Sequence, residues 1–283
     1  MKLVILGHLY TLYTEYKYGK YTRNKESLER LADNLNISAP DKLILAGDYV
    51  HTADDECFEF LEMEFLNKLN VGMHSIYALK SSHEYKKLNY HRVSNNFKTN
   101  LRESESFWFF DDAPNLICFT PWKGDAKQKN CLSVSVDELD KLNNFVQKNK
   151  EHQKICVLPD LRYKDLRNGG ALERLLERFH FIIIGDNEAS HHNYGWFYLN
   201  NSDARVIMTG FPYGLKYQLG GIGSYIEITL AGGMVGEVKM IPYIEKFDSI
   251  IYEQDQKRIR QTWKKQSIIK RAVTELARKV DLN

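Results

Sequence analysis

Short apolar runs, each closed by polar residues, set the rhythm of this chain. Leu3-Val4-Ile5-Leu6 leads into Gly7-His8, and Leu43-Ile44-Leu45-Ala46 into Gly47-Asp48. Ser81-Ser82-His83-Glu84 and Ile182-Ile183-Ile184-Gly185-Asp186-Asn187-Glu188 repeat the arrangement further on. An unbroken apolar run of this length predicts a strand buried on both faces. Between the runs the period changes. Residues 24–35 place Leu28, Leu31 and Leu35 at helical spacing, and residues 54–69 place Phe58, Leu61, Phe65 and Leu69 at steps of three or four. The same reading predicts strands over 42–46, 74–79, 116–119, 154–158 and 180–184, with helices over 136–150 and 171–179.

Beyond residue 190 the pattern changes. Residues 205–209, 224–230 and 237–241 read as strands separated by Gly-rich turns, with Gly220-Gly221 and Gly232-Gly233 as punctuation. Helix-alternating strands followed by antiparallel ones predict two packed sheets with helices outside. After Pro242 the composition shifts again. Residues 253–281 contain no Gly or Pro, and Ile259, Trp263, Ile269, Val273, Leu276 and Val280 approximate one helical face. Lys257, Arg258, Arg260, Lys264, Lys265, Lys270, Arg271, Arg278 and Lys279 outnumber the acids there. This predicts a basic amphipathic extension over 246–283, as one helix or as two broken near Gln266. Such an extension packs on its own domain, docks on a partner protein, or contacts nucleic acid. In the last two cases Arg260, Trp263, Lys264, Lys265, Lys270 and Arg271 are the contact residues.

Composition narrows the class of protein. In 283 residues, 43% are hydrophobic and 12% aromatic, enough for a full globular core. Net charge is only +2, from 39 basic and 37 acidic residues, so nucleic-acid binding would have to come from a local patch. Cys57, Cys118, Cys131 and Cys156 show no Cys-x-x-Cys spacing and read as buried free thiols in a reducing compartment. No apolar run approaches the ~20 residues of a membrane helix, and the chain enters a strand directly from Met1. The expectation is a cytoplasmic protein without membrane contact.

Strand ends followed by variable loops are where α/β folds build their sites. The order of the four polar motifs resembles the calcineurin-like metallophosphoesterases, and the resemblance covers residues 1–245. It implies a four-layer αββα sandwich. In that family two metals about 3.5–4 Å apart share a bridging aspartate and a hydroxide. The motifs run Asp-x-His, Gly-Asp, Gly-Asn-His, a lone His and Gly-His-x-His. Here Gly47-Asp48 keeps the bridging aspartate, and His83 stands where the family's histidine acts on the leaving group or the phosphate. Ser81-Ser82 replaces Gly-Asn, His8 and Tyr10 replace Asp and His, Pro159 stands near the lone His, and Asp186 and Glu188 replace the final histidines. A serine hydroxyl ligates weakly and a proline side chain not at all. A binuclear centre is therefore not expected. Two readings remain open: no metal, with the pocket's polar groups bonding one another, or one divalent metal, Mn or Zn, held by His8, Asp48 and Glu188 with Asp186. His51, Asp160, His191 and His192 are further polar groups around these motifs.

Cys118-Phe119-Thr120-Pro121-Trp122 and Thr209-Gly210-Phe211-Pro212-Tyr213-Gly214-Leu215 resemble turns of the recombination-nuclease branch, the SbcD-type subunits of bacteria and large phages. That branch dimerises, binds DNA ends and grips a coiled-coil ATPase through a C-terminal helical segment. The resemblance thus implies a protein partner for residues 246–283, DNA as a second partner, and a homodimer. The expected function is a catalytically degenerate phosphoesterase-fold subunit for binding or scaffolding in DNA recombination or phage DNA metabolism. The alternative is an active single-metal nuclease or phosphodiesterase with rewired ligands.

Overall fold

The structure is a computed structural model that describes residues 1–7, 9, 24–50, 55–81, 84, 106–121, 133–159, 168–185, 196–200, 202–209 and 224–242. Their strands form two sheets. In the first, β1 (Lys2–Leu6), β2 (Lys42–Ala46) and β3 (Ile76–Leu79) run parallel. The second is built from β4 (Phe107–Phe109), β5 (Leu116–Phe119), β6 (Ile155–Leu158), β7 (Phe181–Ile184), β8 (Trp196–Tyr198) and β9 (Arg205–Met208). A hairpin of β10 (Ser224–Ala231) and β11 (Met234–Pro242) then extends the first sheet antiparallel to β1, giving the order β11-β10-β1-β2-β3. The second sheet has the order β4-β5-β6-β7-β9-β8, parallel except for its two edges.

Each apolar run alternates between two cores, which is why it has no polar member. Leu3 and Ile5 of β1 point between the sheets with Ile44, Leu116, Cys118, Ile155, Val157, Ile183 and Ile207. Val4 and Leu6 point the other way. They meet Leu28, Leu31 and Leu35 of α1 (Asn24–Ser38) and Phe58 and Leu61 of α2 (Asp55–Glu64). Across the molecule Ile117, Cys156, Ile182 and Val206 face Leu142 and Phe145 of α3 (Val136–Lys148) and Leu172 and Leu176 of α4 (Gly169–Leu176). Helix, sheet, sheet, helix is the four-layer αββα sandwich that the pattern predicts. Each Leu or Ile buried in these layers contributes about 1.5–3 kcal/mol. Local signals agree: α3 starts at a capping box, in which the Ser135 Oγ accepts the Glu138 N–H and the Glu138 carboxylate accepts the Ser135 N–H.

Several elements differ from the expectation. The helix predicted over 54–69 stops at Glu64, because Phe65 takes a non-helical backbone and a 3-10 turn follows at Leu66–Lys68. The Asn36 side chain clasps that turn, donating to the Lys68 carbonyl and accepting from the Asn70 N–H. Phe65 still reaches the core. Strands β4 and β8 are three residues long, too short for alternation to register. The strand over 205–208 is parallel to β7, not part of an antiparallel tail, because β8 makes the return ahead of it. Cys57, Cys118 and Cys156 are buried free thiols. The extension over 246–283 and Cys131 lie outside the described residues, and no described helix is long and apolar enough to cross a membrane.

The carboxyl ends of both sheets' parallel strands converge on one edge of the sandwich. Gly185, after β7, lies against the backbone of Ala46, so that a Cβ there would fall 1.5 Å from the Ala46 carbonyl oxygen. Gly7, after β1, leaves room in turn for Gly185 and the Thr209 hydroxyl. Gly185→Ala is therefore expected to cost several kcal/mol or to abolish cooperative unfolding. Gly232→Ala, at φ +57° but facing open space, should cost only about 1 kcal/mol. Urea denaturation of the two variants checks the contrast.

Candidate functional site

The site begins where β2 ends. Gly47 has φ +87° and Asp48 φ +51°, so two successive residues take left-handed backbone and turn the chain sharply. Aspartate tolerates this conformation better than most side chains. The turn is also crowded: a Cβ on Gly47 would lie 2.7 Å from the Pro159 Cβ and 2.9 Å from the Ser81 Cβ. Asp48 is fully buried.

Ser81 and Glu84, after β3, hold this turn. The Asp48 N–H donates to Ser81 Oγ and Glu84 Oε2, at 3.1 Å each. Glu84 Oε1 accepts the Val50 N–H at 3.3 Å, and Oε2 also accepts the Ser81 N–H at 2.8 Å. The Ser81 hydroxyl donates to the Asp48 carboxylate and lies 2.8 Å from Glu84 Oε2. One hydroxyl carries one proton, so a second hydrogen bond between Ser81 and Glu84 requires a proton on the glutamate. Burial, and then the neighbouring Asp48 charge, push Glu84 up to about 7, against the Ser81 and Val50 donors that pull it down. On the far side the Thr120 hydroxyl, after β5, donates to the Lys80 carbonyl and ties the second sheet to the same loop.

Of the residues singled out in the sequence, Asp48 is described. His8, His83, Asp186, Glu188, Arg260, Trp263, Lys264, Lys265, Lys270 and Arg271 lie outside the described residues, as do Tyr10, His51, Ser82, Asp160, His191 and His192. The described neighbours of two of the motifs, Gly7 and Gly185, touch each other at the same edge as Asp48. Pro159 packs against Gly47 and presents no ligating atom there. Glu84 is a member of the site that the motifs alone do not single out. Its signal was present as Ser81-x-x-Glu84, the spacing of a capping box, in which the glutamate reaches back to the serine N–H.

Among the described residues no three His, Cys, Asp or Glu side chains are grouped to hold a metal. Asp48 accepts from Ser81, and Glu84 is occupied by backbone N–H groups. By themselves these two described carboxylates, each taken up by donors of the chain, do not make a site for a divalent cation.

No protein-family model matches the chain, and no curated protein matches it by sequence. Solved structures do. A dimetal phosphatase from Danio rerio superposes with a TM-score of 0.61 at 12% identity, over 86% of this chain and 99% of the phosphatase. The NAD nucleotidase of Haemophilus influenzae gives 0.53 at 12% identity, over 86% of this chain and 49% of the nucleotidase. The fold is thus metallophosphoesterase-like, with the candidate site at the carboxyl edge of its strands.

Glu84 has a consequence for stability. The native protein holds its proton to about pH 7, whereas the unfolded chain releases it near pH 4.5. Between those values the native state binds more protons, so this group's contribution to stability falls as pH rises. Glu84→Gln should remove that part of the slope while lowering overall stability by about 1–3 kcal/mol, since an amide offers one acceptor oxygen instead of two. Urea midpoints of both proteins across this pH range check it, and an unchanged slope in the variant would contradict the assignment.

Proposed function

We propose that this chain is a catalytically degenerate metallophosphoesterase-fold protein that works as a binding or scaffold subunit, in DNA recombination or phage-type DNA metabolism. The observation that carries the reading is the Ser81 hydroxyl seated on the Asp48 carboxylate. In the family it resembles, glycine stands at that position and the aspartate bridges two cations. Serine adds a Cβ and a hydroxyl, and the carboxylate finds its partner within the chain. Pro159 supports the same reading, because it fills the space beside Gly47 with an apolar ring. The link to recombination rests on the SbcD-like turns around Pro121 and Pro212 and on the basic segment 253–281. In the SbcD-type branch that segment's counterpart grips a coiled-coil ATPase, and a protein partner of this kind, a homodimer and DNA contact are parts of the proposal.

A second reading is favoured by the names of the structural relatives, a dimetal phosphatase and a nucleotidase. In it His8, Asp48 and Glu188, with Asp186, hold one Mn or Zn ion, and His83 acts on the phosphate. One purified sample separates the two. Metal content and manganese-dependent phosphodiesterase activity are measured together, with Asp48→Ala as control. Substoichiometric metal and turnover no greater than the control are expected. About one metal per chain, with activity lost in Asp48→Ala and in His83→Ala, would establish the rewired enzyme instead. Restoring the family pair by Ser81→Gly with Ser82→Asn should raise manganese retention, since it removes the hydroxyl from Asp48.

A further inference from the structure

Helix α2 differs from the other described helices in its charge. Asp55–Glu64 carries five acidic residues and no basic one, whereas α1, α3 and α4 each contain Lys or Arg. Glu59 is exposed and Glu62 partly exposed, and neither has an ion-pair partner among the described residues. Their spacing of three residues places like charges side by side, which destabilises an isolated helix. Acids in the last turn, without a base there, also oppose the helix dipole. Lys68 pairs with Glu64 and with Glu29. Beside these acids Met63 is 55% exposed, and Phe60 is only partly buried. The outer face of α2 is therefore acidic at its crest and apolar at its flank, with no covering element among the described residues.

The complementary surface is written in the same chain. Residues 253–281 hold nine basic and four acidic side chains, a net +5 that leaves −3 for the other residues of a molecule whose total is +2. The apolar positions in that segment recur at helical spacing. Reach is sufficient: the 11 residues from Pro242 to residue 253 span up to roughly 36 Å when extended. From β11 to β3 the first sheet is only about 19 Å wide, at four strand spacings.

We infer that the outer face of α2 is a docking surface for the chain's own basic segment 253–281, with Lys264 and Lys265 set against Glu59 and Glu62 and Trp263 against Met63 and Phe60. The docking is intramolecular, so it needs only modest contacts to be populated. It is independent of whether the Asp48 site binds metal. It also implies that the partner-facing bases are held on the body of the protein until a stronger partner takes them.

Hydrogen exchange on the full-length protein tests this. At low salt, exchange across 253–281 should accelerate about tenfold in the Glu59→Lys/Glu62→Lys variant. It should slow again when Lys264→Glu and Lys265→Glu are added. Glu59→Gln/Glu62→Gln, which adds no positive charge, should move in the same direction by a smaller factor. Carbodiimide coupling should join Glu59 or Glu62 to Lys264 or Lys265 within the monomer. The inference is overturned by equal exchange in all variants, by coupling found only in a dimer, or by protection of 253–281 that arises only when duplex DNA is added.

Discussion

The two sheets of this molecule pack through apolar side chains along most of their length and through bare backbone at one edge. Gly7, Gly47 and Gly185 make that edge possible, because Ala46, Pro159 and Thr209 occupy the space where their side chains would be. The tight meeting brings the loops after β1, β2, β3, β6, β7 and β9 to a common place. The candidate site depends on that convergence, since residues from six separate stretches of chain have no other reason to be neighbours.

Among the described residues, what fills the edge is a network of oxygen atoms around Asp48. Asp48 stands in a strained turn, and Ser81 and Glu84 take up its backbone N–H and its carboxylate. A buried carboxylate needs either a cation or several donors to offset its lost hydration. Among the described residues the donors to Asp48 and Glu84 include the Ser81 hydroxyl and the backbone of two loops. Glu84 is the less obvious member, because it acts chiefly on the main chain, holding Asp48, Val50 and Ser81 through three N–H groups.

Sequence patterning was informative about the layers because it reports burial directly. Runs such as Leu3 to Leu6 and Ile182 to Ile184 have no polar position, and each alternates between an inter-sheet core and a helix-facing core. The pattern was less informative about short edges. Strands β4 and β8 carry three residues each and lie against only one neighbour, so neither periodicity nor length distinguishes them from loop. Direction was also hidden. Nothing local in Arg205–Met208 says that it pairs parallel with β7, which is decided by the return strand before it.

At the site, the sequence alone determined which residue types follow the strands: an aspartate after Gly47, serines where Gly-Asn would stand, a proline near the lone histidine. Side-chain chemistry was enough to say that Ser and Pro are poor ligands. The tertiary structure decided that Ser81 lies on Asp48, that Pro159 packs on Gly47, and that Glu84 closes the loop between them. The physical reason is separation along the chain. Asp48 and Ser81 are 33 residues apart, and only the parallel pairing of β2 with β3 sets their ends side by side.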